Sequence, residues 1–131
     1  MNQKQLEDYL WGAANILRGM IDAADFKQYI FPLLFFKRIS DVYDDEYKQA
    51  LEESGGDVEY ASLPEFHRFI IPENCHWNDV RQVTKNVGQA LQYAFREIEK
   101  ANQKFLYGIF GDAQWTNKDR LSDELLINLI E

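Results

Sequence analysis

The chain has 131 residues, with 22 Asp and Glu against 14 Lys and Arg, giving a formal net charge of −8 and a pI near 4.7. A chain of this length is one domain, and a hydrophobic fraction of 46% with 15% aromatics suffices to fill a core rather than leave the chain disordered. The acidity argues against stand-alone tight binding to nucleic acid, which needs clustered Lys and Arg to neutralise phosphates. It leaves room for a domain that lies beside DNA while a neighbour supplies the positive charge.

A single cysteine, Cys75, excludes an internal disulfide and fits a cytoplasmic setting. The N-terminus, MNQKQLEDYLW, is polar and acidic, unlike a signal peptide. The longest apolar run, Tyr29–Phe36, is far shorter than the roughly 20 residues that cross a bilayer, so no membrane partner is expected.

Taken in chain order, residues 3–18 read as a helix. Leu6, Leu10, Ala13, Ala14 and Leu17 recur at three- and four-residue spacing, Tyr9, Trp11 and Ile16 widen the stripe, and Gly19 offers a stop. Asp22 is an N-cap candidate for a long second helix reaching about Glu53, with Asp25 in its first turn. Phe26, Tyr29, Ile30, Leu33, Phe36, Ile39, Tyr43 and Tyr47 line that helix. Between residues 29 and 36 it is apolar nearly all round, the mark of a central buried helix. Pro32 within it predicts a kink or a break.

Ser54-Gly55-Gly56-Asp57 reads as a turn, and residues 58–77 as an irregular segment punctuated by Pro64 and Pro72. Phe66, Phe69, Ile70, Ile71 and Trp77 are its candidates for packing onto the helices. Asn78 is expected to cap a short helix over 79–85, and Asn86 a longer one over 87–101 carrying Val87, Leu91, Ala94, Phe95, Ile98 and Ala101. Phe105, Leu106, Ile109 and Phe110 read as an apolar loop or turn. Ser122 is expected to cap a last stretch to Ile130, whose leucines need a partner surface, and the pattern looks cut off there, as at a domain boundary. With no strand alternation, the expected fold is all-α: a compact bundle of about five helices with one irregular Pro-containing segment, residues 1–131 forming a single domain.

Residues that could carry chemistry are few. His67, Cys75 and His76 are the soft metal ligands, but Cys75 and His76 are adjacent and His67 lies apart, unlike the paired spacing of a zinc site. Asp41, Asp44, Asp45 and Glu46 lack the alternation and central glycine of a calcium loop, and read as a solvated helix face. Gly108 and Gly111 follow no strand and precede no capped helix, so they read as turn glycines rather than a nucleotide fingerprint. No Ser-His-Asp or Cys-His arrangement has supporting context. No catalytic, cofactor or metal residue is therefore assigned. Among small groups of cations, Arg81 and Lys85 stand four apart, as on one helical face, and with Lys118 and Arg120 they are the candidates for touching phosphates or another subunit.

Three segments in this order, ANILRGMIDAADFKQYIFPLLFFKRISD (14–41), FIIPENCHW (69–77) and NVGQALQYAFREIEKANQKFLYGIF (86–110), resemble the N-terminal helical domain of the modification (M) subunit of type I restriction-modification systems. The chain departs from that family at Pro32, in a run usually filled by helix formers, and at His76, often Arg before the tryptophan (here Trp77), so no binding role is carried over to His76.

The resemblance implies an S-adenosylmethionine-dependent DNA adenine-N6 methyltransferase as the parent protein. Neither the cofactor's Gly-rich turn nor the Asn/Asp-Pro-Pro-aromatic loop that receives a flipped adenine occurs here, so this domain is expected to be inactive alone. The implied partners are the specificity (S) subunit, a second M subunit, the restriction (R) subunit and double-stranded DNA. The implied role is to help close the complex around DNA and to contact other subunits. Two alternatives are a free-standing helical interaction module using exposed aromatics and an independent enzyme built on His67, Cys75 or the acidic cluster.

Overall fold

The computed structural model describes residues 3–117 and 121–130. Seven α-helices follow in order: α1 (Gln3–Leu17), α2 (Phe26–Glu53), α3 (Val58–Ala61), α4 (Trp77–Arg81), α5 (Val87–Ala101), α6 (Gln103–Leu106) and α7 (Asp123–Leu129). Four of them, α1, α2, α5 and α7, have seven residues or more, so the architecture is the expected all-α bundle with short helical turns between longer members. No strand forms among the described residues.

α1 ends where the sequence predicts. Gly19 adopts φ +89°, a conformation glycine reaches without a Cβ clash, and the Met20 and Ile21 amides both donate to the Leu17 carbonyl. The Asp22 carboxylate accepts from the Ala24 amide at 3.4 Å and starts a single 3-10 turn, Ala23–Asp25, that leads into α2. α2 is about 42 Å long and runs unbroken through Pro32. The proline forgoes one backbone bond, to Gln28, yet the buried Tyr29, Ile30, Leu33 and Phe36 around it hold the helix in place.

Phe36 is the hub of the core. Its ring meets Trp77 of α4 at 5.3 Å and Phe95 of α5 edge-on at 5.5 Å, while Phe95 stacks on Phe110 at 4.4 Å. Trp115 closes the chain of rings against Phe95 and Tyr29. Edge-on and offset pairs of this kind stabilise beyond simple burial. α5 turns Val87, Leu91, Phe95 and Ile98 fully inward, each large side chain contributing about 1.5–3 kcal/mol of burial. α7 packs its leucines against α1 and α5, so the partner surface they need lies within the domain.

Four expectations need correction. The segment 58–77 is not wholly irregular: Asp57 caps α3 by accepting from the Tyr60 amide at 3.1 Å, and Pro64–Phe66 is a 3-10 turn. The helix expected over 79–85 spans Trp77–Arg81 instead, and its entry is held by the Asp79 carboxylate accepting from the His76 amide rather than by Asn78. It stops at Arg81 because the next bonds, Gln82 to Asp79 and Val83 to Val80, tighten to three-residue spacing and close the last turn. α5 does begin after Asn86, but the acceptor for the Asn86 and Val87 amides is the Asp123 carboxylate of α7, at 3.1 and 3.0 Å. The apolar turn at 105–110 includes α6. Ser122 caps α7 as expected, its hydroxyl accepting from the Leu125 amide at 3.2 Å.

Candidate contact surface

Of the four cations singled out from the sequence, two fall within the described residues. Arg81 is exposed on the last residue of α4, and Lys85 is exposed beyond that helix, in the bend before Asn86. With α4 ending at Arg81, the two do not share a helical face. Lys118 and Arg120 lie outside the described residues.

The polar and soft residues of 40–79 form a structural clasp. Tyr43 of α2 stacks on the His67 ring at 3.8 Å and meets His76 edge-on at 4.8 Å. His67 Nε2 donates to the Ala61 carbonyl at 2.7 Å, and its Nδ1 faces the Glu46 carboxylate at 3.4 Å. Both oxygens of that carboxylate accept from the Arg68 amide, at 3.2 and 3.0 Å. The Ser40 hydroxyl accepts from the Trp77 amide at 3.1 Å in the interior. The acidic run therefore splits in function: Glu46 holds the loop, Asp41 pairs with Lys37 at 2.8 Å, and Asp44 and Asp45 face solvent.

Among the described residues no group of three or more His, Cys, Asp or Glu could hold a metal ion. Cys75 is fully buried, and burial pushes its thiol up to about 11, with Glu97 and Asp79 adding to the effect. A neutral buried thiol is a poor nucleophile. Burial likewise lowers His76 below its ordinary value, against the opposing pull of Asp79 and Asp44, so its imidazole is neutral near pH 7.

Two outward-facing apolar surfaces are more suggestive. One is a groove of about 240 Å³ between α1 and α2, lined by Leu6, Leu34, Phe35, Lys37, Arg38 and Asp41. The other is an open depression of about 520 Å³ lined by Arg68, Phe69, Phe105 and Leu106. The backbone next to Phe69 is fixed by Asn102, whose side-chain amide donates to the Ile70 carbonyl at 2.7 Å and to the Ile98 carbonyl at 2.8 Å while its oxygen accepts from the Ile70 amide at 2.8 Å. The sequence gives no hint of this bridge: an asparagine at a helix end looks like any terminator. Phe105, in the segment read from the sequence as an apolar loop or turn, is 72% exposed at the rim.

With this architecture in view, the comparison with known families is decisive. The HsdM N-terminal domain family matches residues 6–131. The chain belongs to that family. It is thus the N-terminal domain type of type I restriction-modification M subunits, as the three sequence segments had suggested. None of the curated proteins compared with the chain matches it. Within this HsdM N-terminal domain the segments that carried the resemblance supply the ring core (Phe36, Trp77, Phe95, Phe110), so what they encode is chiefly packing.

Proposed function

We propose that this domain is a non-catalytic clamping and subunit-contact module of an S-adenosylmethionine-dependent DNA adenine-N6 methyltransferase M subunit. It works in the cytoplasm beside an S subunit, a second M subunit and an R subunit, on double-stranded DNA. The family match over residues 6–131 carries this reading. The geometry is in keeping with it: Ser40, Glu46 and Asp79 are spent on holding loops, Cys75 is buried and protonated, and the outward features include apolar surfaces edged by cations. Cofactor and target-base chemistry belong, on this reading, to a methyltransferase domain of the same subunit. A net charge of −8 means that this domain adds shape and protein contacts to a DNA clamp rather than most of the phosphate neutralisation.

The test is to delete residues 1–131 from the M subunit, co-express it with the S subunit, and measure complex mass and methyl transfer to DNA from radiolabelled cofactor. Loss of assembly or of methylation at limiting DNA is expected. A deleted subunit that assembles and methylates like the intact one overturns the proposal.

A further inference from the structure

We propose that the depression between residues 68–70 and α6 is a protein-docking surface, and that its occupant is an apolar segment flanked by carboxylates on another subunit of the assembly. This inference rests on the subunit-contact reading above and names a surface and a partner chemistry for it.

Composition comes first. Phe105 is 72% and Ile70 45% exposed, and Tyr107, 85% exposed, follows directly on α6. With Phe69 and Arg68 this is the aromatic and arginine content that marks the anchor region of protein interfaces, where Glu and Asp are scarce. Rigidity comes second. Asn102 locks the backbone of Ile70 to the end of α5, and Glu46 locks the amide of Arg68 to α2. The surface is therefore preformed, and docking there orders little backbone.

Charge decides the partner. The chain has eight more acidic than basic residues, yet no acidic side chain lines this depression. Among the described residues Arg68 and Lys104 have no carboxylate within ion-pair distance, and the Lys104 ammonium rests over the Phe105 ring at 5.5 Å. A partner that inserts an apolar side chain beside Phe105 and offers one carboxylate to each cation satisfies both features. Nucleic acid fits less well. Glu46, which binds the Arg68 amide, lines an adjoining surface with Glu53 and Glu65. A duplex carries a charge about every 1.7 Å along its axis and would run its phosphates against those carboxylates, whereas a protein places its charges selectively.

The experiment uses the full M subunit co-expressed with the S subunit, comparing wild type, the deletion of residues 1–131, and the double variant Phe105→Ala/Arg68→Glu. Both substituted side chains are exposed, so an unchanged melting temperature of the 131-residue domain verifies its fold. Subunit affinity is read by mass photometry on dilution, and DNA affinity by fluorescence anisotropy. The expected result is about a hundredfold weaker subunit association for the double variant, roughly tenfold per anchor, approaching the deletion. If the deletion abolishes assembly but the double variant assembles like wild type, this docking surface is wrong while the subunit-contact reading survives. If the deletion also assembles normally, both fall. If assembly is intact and only DNA affinity drops, the surface is a nucleic-acid contact and the proposal is overturned.

Discussion

Replacing Asn102 by Ala removes three hydrogen bonds at once: two to the Ile70 backbone and one to the Ile98 carbonyl. The residue is 9% exposed, so water replaces these bonds poorly. A neutral intramolecular hydrogen bond is worth about 0.5–1.5 kcal/mol net, and orphaning a buried partner costs more. Ile70 itself is partly exposed and recovers some solvation, so the expected loss is about 2–3 kcal/mol, or roughly 8–12 °C in Tm for a domain of this size. Asn102→Asp sharpens the test. It keeps the acceptor for the Ile70 amide but turns a carboxylate oxygen toward two carbonyls, and it should cost at least as much as the alanine. Urea unfolding of both variants gives the free energies, and amide exchange at Ile70 reports the local release. If Asn102→Ala costs under about 0.5 kcal/mol, or Asn102→Asp is neutral, the bridge does not hold the 68–70 segment and the claim of a preformed surface fails with it.

Other outcomes follow from the same geometry. A Cβ on Gly88 would stand 1.8 Å from the Trp115 carbonyl oxygen, so Gly88→Ala should cost about 3 kcal/mol, at the upper end of overpacking; a thermal melt unchanged from wild type would show that the 115 loop is not seated there. Asp123→Ala strips the acceptor from the Asn86 and Val87 amides at the entry to α5 and should lose about 1–2 kcal/mol by denaturant titration, as caps generally do. Cys75, raised by burial from 9.0 to about 11, should resist a thiol reagent at pH 8 until the domain opens. Because its folded value lies above its unfolded one, this group's contribution is present below pH 9 and fades as pH climbs toward 11. His76 is lowered by burial, so the unfolded chain takes up the proton first and stability should fall as pH drops below about 6.5, a slope that His76→Gln should flatten in pH-dependent melts.

Features with local causes were legible in the sequence. α1, the inward face of α5 and the Ser122 cap depend on spacings of three and four residues or on a hydroxyl three residues from its donor. Features that depend on distant partners were not. Nothing near Asn86 says that the acceptor for its amide is Asp123, and nothing near Ile70 says that Asn102 lies alongside. Pairing Arg81 with Lys85 failed for a related reason: four-residue spacing places two side chains on one face only while the helix persists, and α4 closes at Arg81. Of the two outcomes that Pro32 predicts, the break does not occur: α2 continues through it, with buried neighbours on its core side offsetting the single backbone bond it forgoes. The exposed Phe105 and Trp11 show the remaining limit: periodicity finds apolar residues but cannot say which turn outward.

The long-range ties share one arrangement, and it bears on what the domain can do. Ser40 to Trp77, Glu46 to Arg68, Asn102 to Ile70 and Asp123 to Val87 each join a connecting segment or helix entry to a separate helix. Glu99 adds a fifth by accepting from the Phe110 amide at 3.2 Å while pairing with Arg96. Loops held in this way are tied down rather than free to act as lids, most firmly at the buried bonds from the Trp77 and Phe110 amides, where an orphaned partner costs on the order of 1–3 kcal/mol. Their sequence was spent on rigidity, which leaves function to the surfaces that such a body presents. A rigid module with outward aromatics and cations above an acidic flank gains affinity from being preformed, and its negative charge discriminates among partners, favouring a surface with matched carboxylates and apolar anchors over an unscreened run of phosphates.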